Sequence, residues 1–238
     1  MLNLPNGSKI IISADDFGIS RRATERILEL AKSGKLDRVE VMMSENITQQ
    51  QASKLLRSGV KIDIHFHLAE DKINYWQNRP REYREGNLKR IFSFLYDYFF
   101  SKDKTSEVEA VWHFQFSDFR RLFGRNPDGL SSHEHIHFFP FYFKIIQKMA
   151  LENSIEYIRF GENNFAGKNL VSFILNILRN FNLKHFHKSE IKTTDFFVSF
   201  DWLKNYNKFS NSISPDKTVE LVFHPERDEE LEFIKNKL

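Results

Sequence analysis

The sequence predicts an α/β fold built on parallel strands, and three observations lead there. A β-branched run, Ile10-Ile11-Ile12, ends in Ala14-Asp15-Asp16-Phe17-Gly18 and gives way to a helical pattern from Ser20. Strand and helix patterns then alternate, the order of a parallel sheet with crossover helices. Val60–Leu68 alternates with period two, so Ile62, Ile64, Phe66 and Leu68 share one face while Asp63, His65 and His67 share the other. At 238 residues, one domain covering positions 1–238 is the expectation.

Each element has its own signal. The run at Ile10 is short, apolar and bounded by a turn, as a buried parallel strand is, and it carries Asp15 and Asp16 to the C-terminal edge of the sheet. Arg21–Ser33 places Ala23, Ile27, Leu30 and Ala31 on one helical face, with Gly34 as C-cap. Leu36–Met43 reads as a second strand and Thr48–Ser58 as a second helix. After the alternating strand at 60–68, the polar, aromatic stretch Asp71–Arg84 reads as an insertion on the substrate side, with Tyr75, Trp76 and Tyr83 able to stack on a sugar ring or on one another. Helices are predicted at Asn87–Phe100 and Glu107–Phe123.

Further on, His133, His135 and His137 fall on one side if their segment is extended, and Pro140 starts a helix to about Asn153. Glu156–Phe160 is a short strand with Arg159 near its end, and Asn169–Phe181 a helix. Asn182–Lys192 reads as basic and irregular, and Thr193–Phe197 as the opening of another strand. Thr218–Phe223 is an apolar strand closed by His224 and Pro225, and Glu226–Leu238 a last helix.

Composition removes several classes. Hydrophobic residues at 41% and charged residues at 28% are those of a soluble globular protein, and many of the 25 Phe belong in its core. The absence of Cys excludes disulfides, thiolate metal ligands and a Cys nucleophile, and fits a reducing compartment. A net charge of +3, with no basic cluster interleaved with aromatics, argues against a nucleic-acid partner. Met1–Ser8 lacks the blocks of a signal peptide and no apolar run approaches ~18 residues, so a cytoplasmic protein without a membrane span is expected.

The chemistry lies in the strand ends. Asp15 and Asp16, His65, His133 and His224 each fall at or near the C-terminal end of a predicted strand, hence on one rim, where such folds keep their chemistry. Capping of the following helix accounts for one of the adjacent acids but not both. Two neighbouring carboxylates persist more readily with a cation or a shared proton between them. One carboxylate and two imidazoles form a common divalent-metal site with open positions, favouring zinc or another transition ion, with magnesium compatible. A second acid can then take a proton from water and an opposed histidine protonate a leaving amine.

These residues resemble the YdjC-like carbohydrate deacetylases, which include chitooligosaccharide deacetylases. The resemblance rests on four ordered motifs: Ala14-Asp15-Asp16-Phe17-Gly18, Ile64-His65-Phe66-His67-Leu68, His133-Glu134-His135-Ile136-His137 with Pro140, and Phe223-His224-Pro225. It implies a distorted (β/α) barrel and metal-dependent removal of an acetyl group from an N-acetylated sugar. By the same resemblance Asp16, His65 and His133 are the metal ligands and Asp15 the base. His224 corresponds to the family's C-terminal histidine, to which a general-acid or oxyanion-stabilising role is assigned. Arg159 is similar to an arginine after a mid-chain strand, and orienting Asp15 is the role its chemistry suggests.

The chain departs from the family in three places. Ser131 stands where an Asp usually precedes the His-rich motif by two residues, Asp63 where Gly is common, and 14 residues follow His224. An acid at 131 would orient a ligand imidazole, and a shorter C-terminal end would leave the pocket more open. The partner expected is a small-molecule or oligosaccharide substrate, with a homodimer left open. A catalytically impaired sugar-binding protein and a metal-dependent phosphoesterase are the alternatives, the latter without a glycine-rich or clustered-arginine phosphate cradle to support it.

Overall fold

The computed structural model describes residues 2–4, 6–44, 46–68, 104–165, 167 and 169–238. The expected aromatic insertion at 71–84 and helix at 87–100 lie outside the described residues.

The architecture is α/β. Strand β1 (Leu2–Asn3) pairs antiparallel with β2 (Lys9–Phe17), while β2, β3 (Arg38–Val41), β4 (Lys61–Phe66), β5 (Leu130–Ser132), β6 (Phe196–Ser199) and β7 (Thr218–Phe223) are parallel in the order β5-β4-β3-β2-β7-β6. The six parallel strands curl into a half-barrel. Single parallel bridges from Tyr157, Ile158 and Glu162 reach Leu130 of β5 on one side and Lys192 and Phe196 on the other. The strand expected at 156–160 is therefore a bridging stretch without a continuous ladder. It passes so close to β6 that a Cβ on Gly161 would lie 2.6 Å from the carbonyl carbon of Phe196.

The crossover helices follow from amphipathic spacing and capping. Helix α1 (Arg21–Lys32) buries Ala23, Ile27, Leu30 and Ala31, and the Ser20 hydroxyl accepts from Ala23 N at 3.0 Å. Helix α2 (Gln49–Arg57) opens with a capping box between Thr48 and Gln51. Helix α3 (Lys104–Phe123) buries Trp112, which stacks on Phe66 at 5.0 Å. Helix α4 (Pro140–Glu152) begins at Pro140, and α7 (Asp228–Lys237) ends the chain. Many of the phenylalanines fill the interior as anticipated: Phe160 meets Phe143 at 4.5 Å, Phe186 at 4.9 Å and Phe138 at 5.1 Å.

Three segments differ from the sequence reading. Helix α5 (Leu170–Phe186) continues through the stretch expected to be irregular, because Asn182 is buried and donates to Phe138 O while Phe186 inserts among the core aromatics. Helix α6 (Tyr206–Ser212) has no apolar period to announce it, since only Phe209 is buried. The histidine run is not extended. Residues His133–Phe138 form a 3-10 stretch in which Glu134 and His135 have φ of 56° and 55°, so the three imidazoles point to different places. Among the described residues, no helix is long and apolar enough to cross a membrane.

Gly18 fixes the turn from β2 into α1. Its φ is +103°, and a Cβ there would fall inside contact distance of Met42 O and 2.7 Å from Ile47 Cδ1. Gly18→Ala is expected to destabilise the fold by about 1–3 kcal/mol, read as a lower urea midpoint with an unchanged slope.

Candidate metal and catalytic site

The strand ends converge as parallel geometry requires. His65 on β4 is in register with Ser131 on β5, and Ala14 on β2 with Phe223 on β7, so His224 follows at the edge that carries Asp15. Asp16 turns away from Asp15 through a left-handed backbone, φ 70°, in a residue that is not glycine. Such a conformation persists only where its surroundings hold it, and it lets adjacent carboxylates serve different neighbours.

Asp16, His65 and His133 each offer a donor atom, all within 4.8 Å of one another. Asp16 Oδ1 lies 3.1 Å from His133 Nδ1 and 3.7 Å from His65 Nε2, and the two imidazoles meet edge to face at 5.6 Å. His65 Nδ1 is engaged at 2.6 Å by Ser131 Oγ, which leaves Nε2 for the side of the acids. One carboxylate and two imidazoles, mostly buried and drawn together without a lysine or arginine among them, fit a divalent cation.

Asp15 belongs to a second network. Arg159, fully buried, donates from Nη1 and Nη2 to its two oxygens at 2.7 and 2.8 Å. The same guanidinium reaches Glu220 Oε1 at 2.8 Å, Glu40 Oε1 at 3.0 Å and Ser13 Oγ at 3.0 Å. Tyr157 donates to the other oxygen of Glu220 at 2.6 Å, and its ring supports Arg38 at 3.9 Å. Arg38 in turn grips Asp63 through two bonds of 2.6 Å, which is how a buried acid is accommodated at that position.

These contacts set the proton affinities. Burial works to raise the Asp15 pKa, but Arg159, with His65 behind it, prevails and holds the carboxyl at about 2. Asp16 is held lower still, burial again being outweighed, here by His133. Burial lowers His65 to about 4 and raises Glu40 to about 7, the latter with Asp15 and Glu220 beside it and Arg159 opposing. At His224 burial opposes charge, yet the Glu230 carboxylate, followed by Asp16 and Asp15, lifts the pKa to about 9. Its Nδ1 stands 3.7 Å from Glu230 Oε2, while the backbone N–H of His224 donates to that oxygen at 2.6 Å.

His67, His135 and His137, the other histidines of the motifs that hold His65 and His133, have structural surroundings. His137 Nε2 donates to Arg159 O at 2.7 Å and its Nδ1 meets Ser132 Oγ at 2.7 Å, so it anchors the backbone that carries Arg159. His67 Nε2 donates to Met43 O at 3.0 Å, and His135 packs against Phe197 at 5.0 Å and Trp202 at 5.8 Å. All six residues expected at the site from the sequence thus lie at this edge or in the network behind it. Glu40, Glu220 and Ser13 were not anticipated. The signal for the two acids was a glutamate between apolar neighbours in each strand, Val39-Glu40-Val41 and Val219-Glu220-Leu221, which turns it to the opposite face from them.

Residues 9–237 match the family model described as YdjC-like protein. A chitooligosaccharide deacetylase of Escherichia fergusonii is 30% identical over 149 residues, 61% of this chain and 57% of that protein. Its counterpart in Citrobacter koseri is 27% identical over the same lengths. The matches therefore span little more than half of those two relatives. A carbohydrate deacetylase of Danio rerio is 22% identical over 215 residues, 85% of this chain and 68% of that one. A solved structure from Enterococcus faecalis V583, provisionally named for cellobiose-phosphate cleavage, superposes with a TM-score of 0.63 at 16% identity, covering 97% of this chain and 91% of that one. That likeness concerns the fold alone.

Removal of Arg159 leaves three buried carboxylates facing one another without their cation. Arg159→Met is expected to lower the unfolding free energy by about 3–5 kcal/mol, measured by chemical denaturation near neutral pH.

Proposed function

This chain belongs to the YdjC-like family, and from that premise we propose that it is a metal-dependent hydrolase removing the acetyl group of an N-acetylated amino sugar or oligosaccharide. The observation that carries the reading is the convergence of Asp16, His65 and His133 within 4.8 Å, beside a second carboxylate held separately by Arg159. The names of the relatives support the substrate class.

In this reading Asp16, His65 and His133 hold the cation, zinc or magnesium in kind. Once bound, such an ion acidifies water and polarises an amide carbonyl, which suits a base as weak as Asp15. Asp15 is ionised across the working range and accepts the proton of the attacking water. Arg159 keeps that carboxylate oriented and charged. His224, protonated at neutral pH, gives its proton to the nitrogen that leaves as the sugar amine. The two proton carriers thus hold opposite protonation states before the reaction begins, as a base and an acid must.

The test is acetate release from a panel of N-acetylated sugars, using metal-stripped protein resupplied separately with zinc, cobalt, nickel and magnesium. Activity is expected to return with a bound ion and to disappear in His65→Ala. Asp15→Asn should lower turnover by about 10²–10⁴-fold while leaving metal affinity unchanged. A folded, metal-loaded protein that releases no acetate from any sugar would move the reading to a carbohydrate-binding protein on this scaffold.

The acid also predicts a pH profile. His224 is protonated below its pKa of about 9, so turnover should fall as pH rises through that value. Glu230→Gln removes the hydrogen-bonding carboxylate that does most to raise the pKa, and the alkaline limb is expected to move to lower pH. A limb unmoved by this change would take the proton donation away from His224.

A further inference from the structure

His65 has one ring nitrogen facing the acids and one facing the wall of the half-barrel, and what stands behind that wall decides its proton. Nδ1 lies 2.6 Å from Ser131 Oγ. The Ser131 hydroxyl itself donates to Glu40 Oε2, in a very close contact. A hydroxyl has a single hydrogen, so while it donates to the carboxylate it can only accept from the imidazole. Nδ1 must then carry the hydrogen, and Nε2 presents its lone pair toward Asp16, 3.7 Å away. The other oxygen of Glu40 receives Arg159 Nη2 at 3.0 Å, so each oxygen of this acid faces a donor. Glu40 and Ser131 are fully buried and His65 is 2% exposed, so bulk water does not compete for these bonds.

The geometry of the sheet makes the relay possible. Glu40 on β3 is in register with Asp63 on β4, and His65 on β4 with Ser131 on β5. The acid therefore comes from the strand on one side of His65 and the hydroxyl from the strand on the other, and they meet behind the ring. Ser131 is the link between them.

We propose that Glu40 and Ser131 are positioning residues for His65: Glu40, acting through the Ser131 hydroxyl, fixes the imidazole as its Nδ1–H tautomer with Nε2 free to ligate a cation. The inference deepens the metal-site reading and rests on it for its consequence in affinity. It makes the Ser131 hydroxyl the link through which a carboxylate two strands from that hydroxyl governs the ring.

Two measurements test it. The first is zinc affinity, by competition with a chromophoric chelator, for the wild-type chain, Ser131→Ala, Glu40→Gln, Ser131→Thr and the double variant Glu40→Gln/Ser131→Asp, each first shown to be folded. Ser131→Ala and Glu40→Gln are expected to weaken binding about 10–100-fold, and Ser131→Thr, which keeps the hydroxyl, to bind near the wild-type level. The double variant, with a carboxylate restored beside Nδ1, should recover affinity relative to Glu40→Gln. The second is the ¹H–¹⁵N imidazole spectrum of the metal-free protein. His65 should show a protonated Nδ1 and a bare Nε2, and lose that bias in Ser131→Ala and Glu40→Gln. Wild-type affinity in both single variants, or a His65 that carries its proton on Nε2, would overturn the proposal. If neither the wild-type chain nor His65→Ala binds any metal, the metal-site reading fails, while the tautomer spectrum still decides whether Glu40 and Ser131 control His65.

Discussion

A single buried guanidinium organises this half-barrel. Arg159 has no exposure, yet Asp15 from β2, Glu40 from β3 and Glu220 from β7 converge on it. Its Nη2 has two hydrogens and four oxygens within 3.0 Å, so these bonds are shared rather than paired one to one. An arrangement of this kind does not stabilise through Coulomb attraction alone, because each charge has been stripped of water. It persists because removing any one partner is worse than keeping all. The strands must therefore present these residues inward and in step, and a one-residue slip of β7 would carry Glu220 to the apolar side of the sheet.

The guanidinium is also held from behind. Arg159 N donates to Leu130 O and His137 Nε2 to Arg159 O, so a stretch without a continuous strand ladder is fixed on both sides of the residue that matters. His137 is thereby explained without a ligand role. Asp15 and Asp16 are consecutive in sequence and chemically separate for the same reason: one is claimed by Arg159, while the left-handed turn at the other delivers it to His133 and His65. A pair of acids that would repel if left side by side is given a different principal partner each, Arg159 and His133, with His65 shared between them.

Much of this was legible in the sequence, and the parts that were not share a cause. Asp15, Asp16, His65 and His224 announce themselves because a β-branched or alternating run ends at them, and a strand end in a parallel sheet has a known place. Glu40 and Glu220 sit inside strands, where a lone acid between valines or leucines looks the same whether it faces solvent or a buried arginine far off in the chain. Only the tertiary partner distinguishes the two cases, and that partner, Arg159, lies far along the chain, where no spacing ties it to Glu40 or Glu220. The histidine run misled for a different reason. Period two was assumed where Glu134 and His135 adopt left-handed backbone, so His133, His135 and His137 separate into the acidic site, an aromatic wall and a backbone anchor. In α5 the polar look of Asn182–Lys184 hid an asparagine that is buried because it caps a carbonyl of the neighbouring 3-10 stretch.

The proposed reaction asks one rim of the sheet to keep a base ionised and an acid protonated a short distance apart, and the two are separated by their surroundings rather than by their intrinsic chemistry. Asp15 is charged because its partner is a guanidinium that never gives up its proton. His224 is charged because carboxylates outnumber cations around it, Glu230 foremost among them. Glu230 is itself engaged by Arg227 at 2.7 Å, and that same arginine reaches Asp201 at 2.8 Å, so the histidine's counter-charge is anchored to the start of α7 rather than to the sheet. The acid and the base consequently depend on different layers of the protein. A change in the barrel interior acts first on Asp15, and a change in the last helix acts first on His224, while each group also feels the charge of the other.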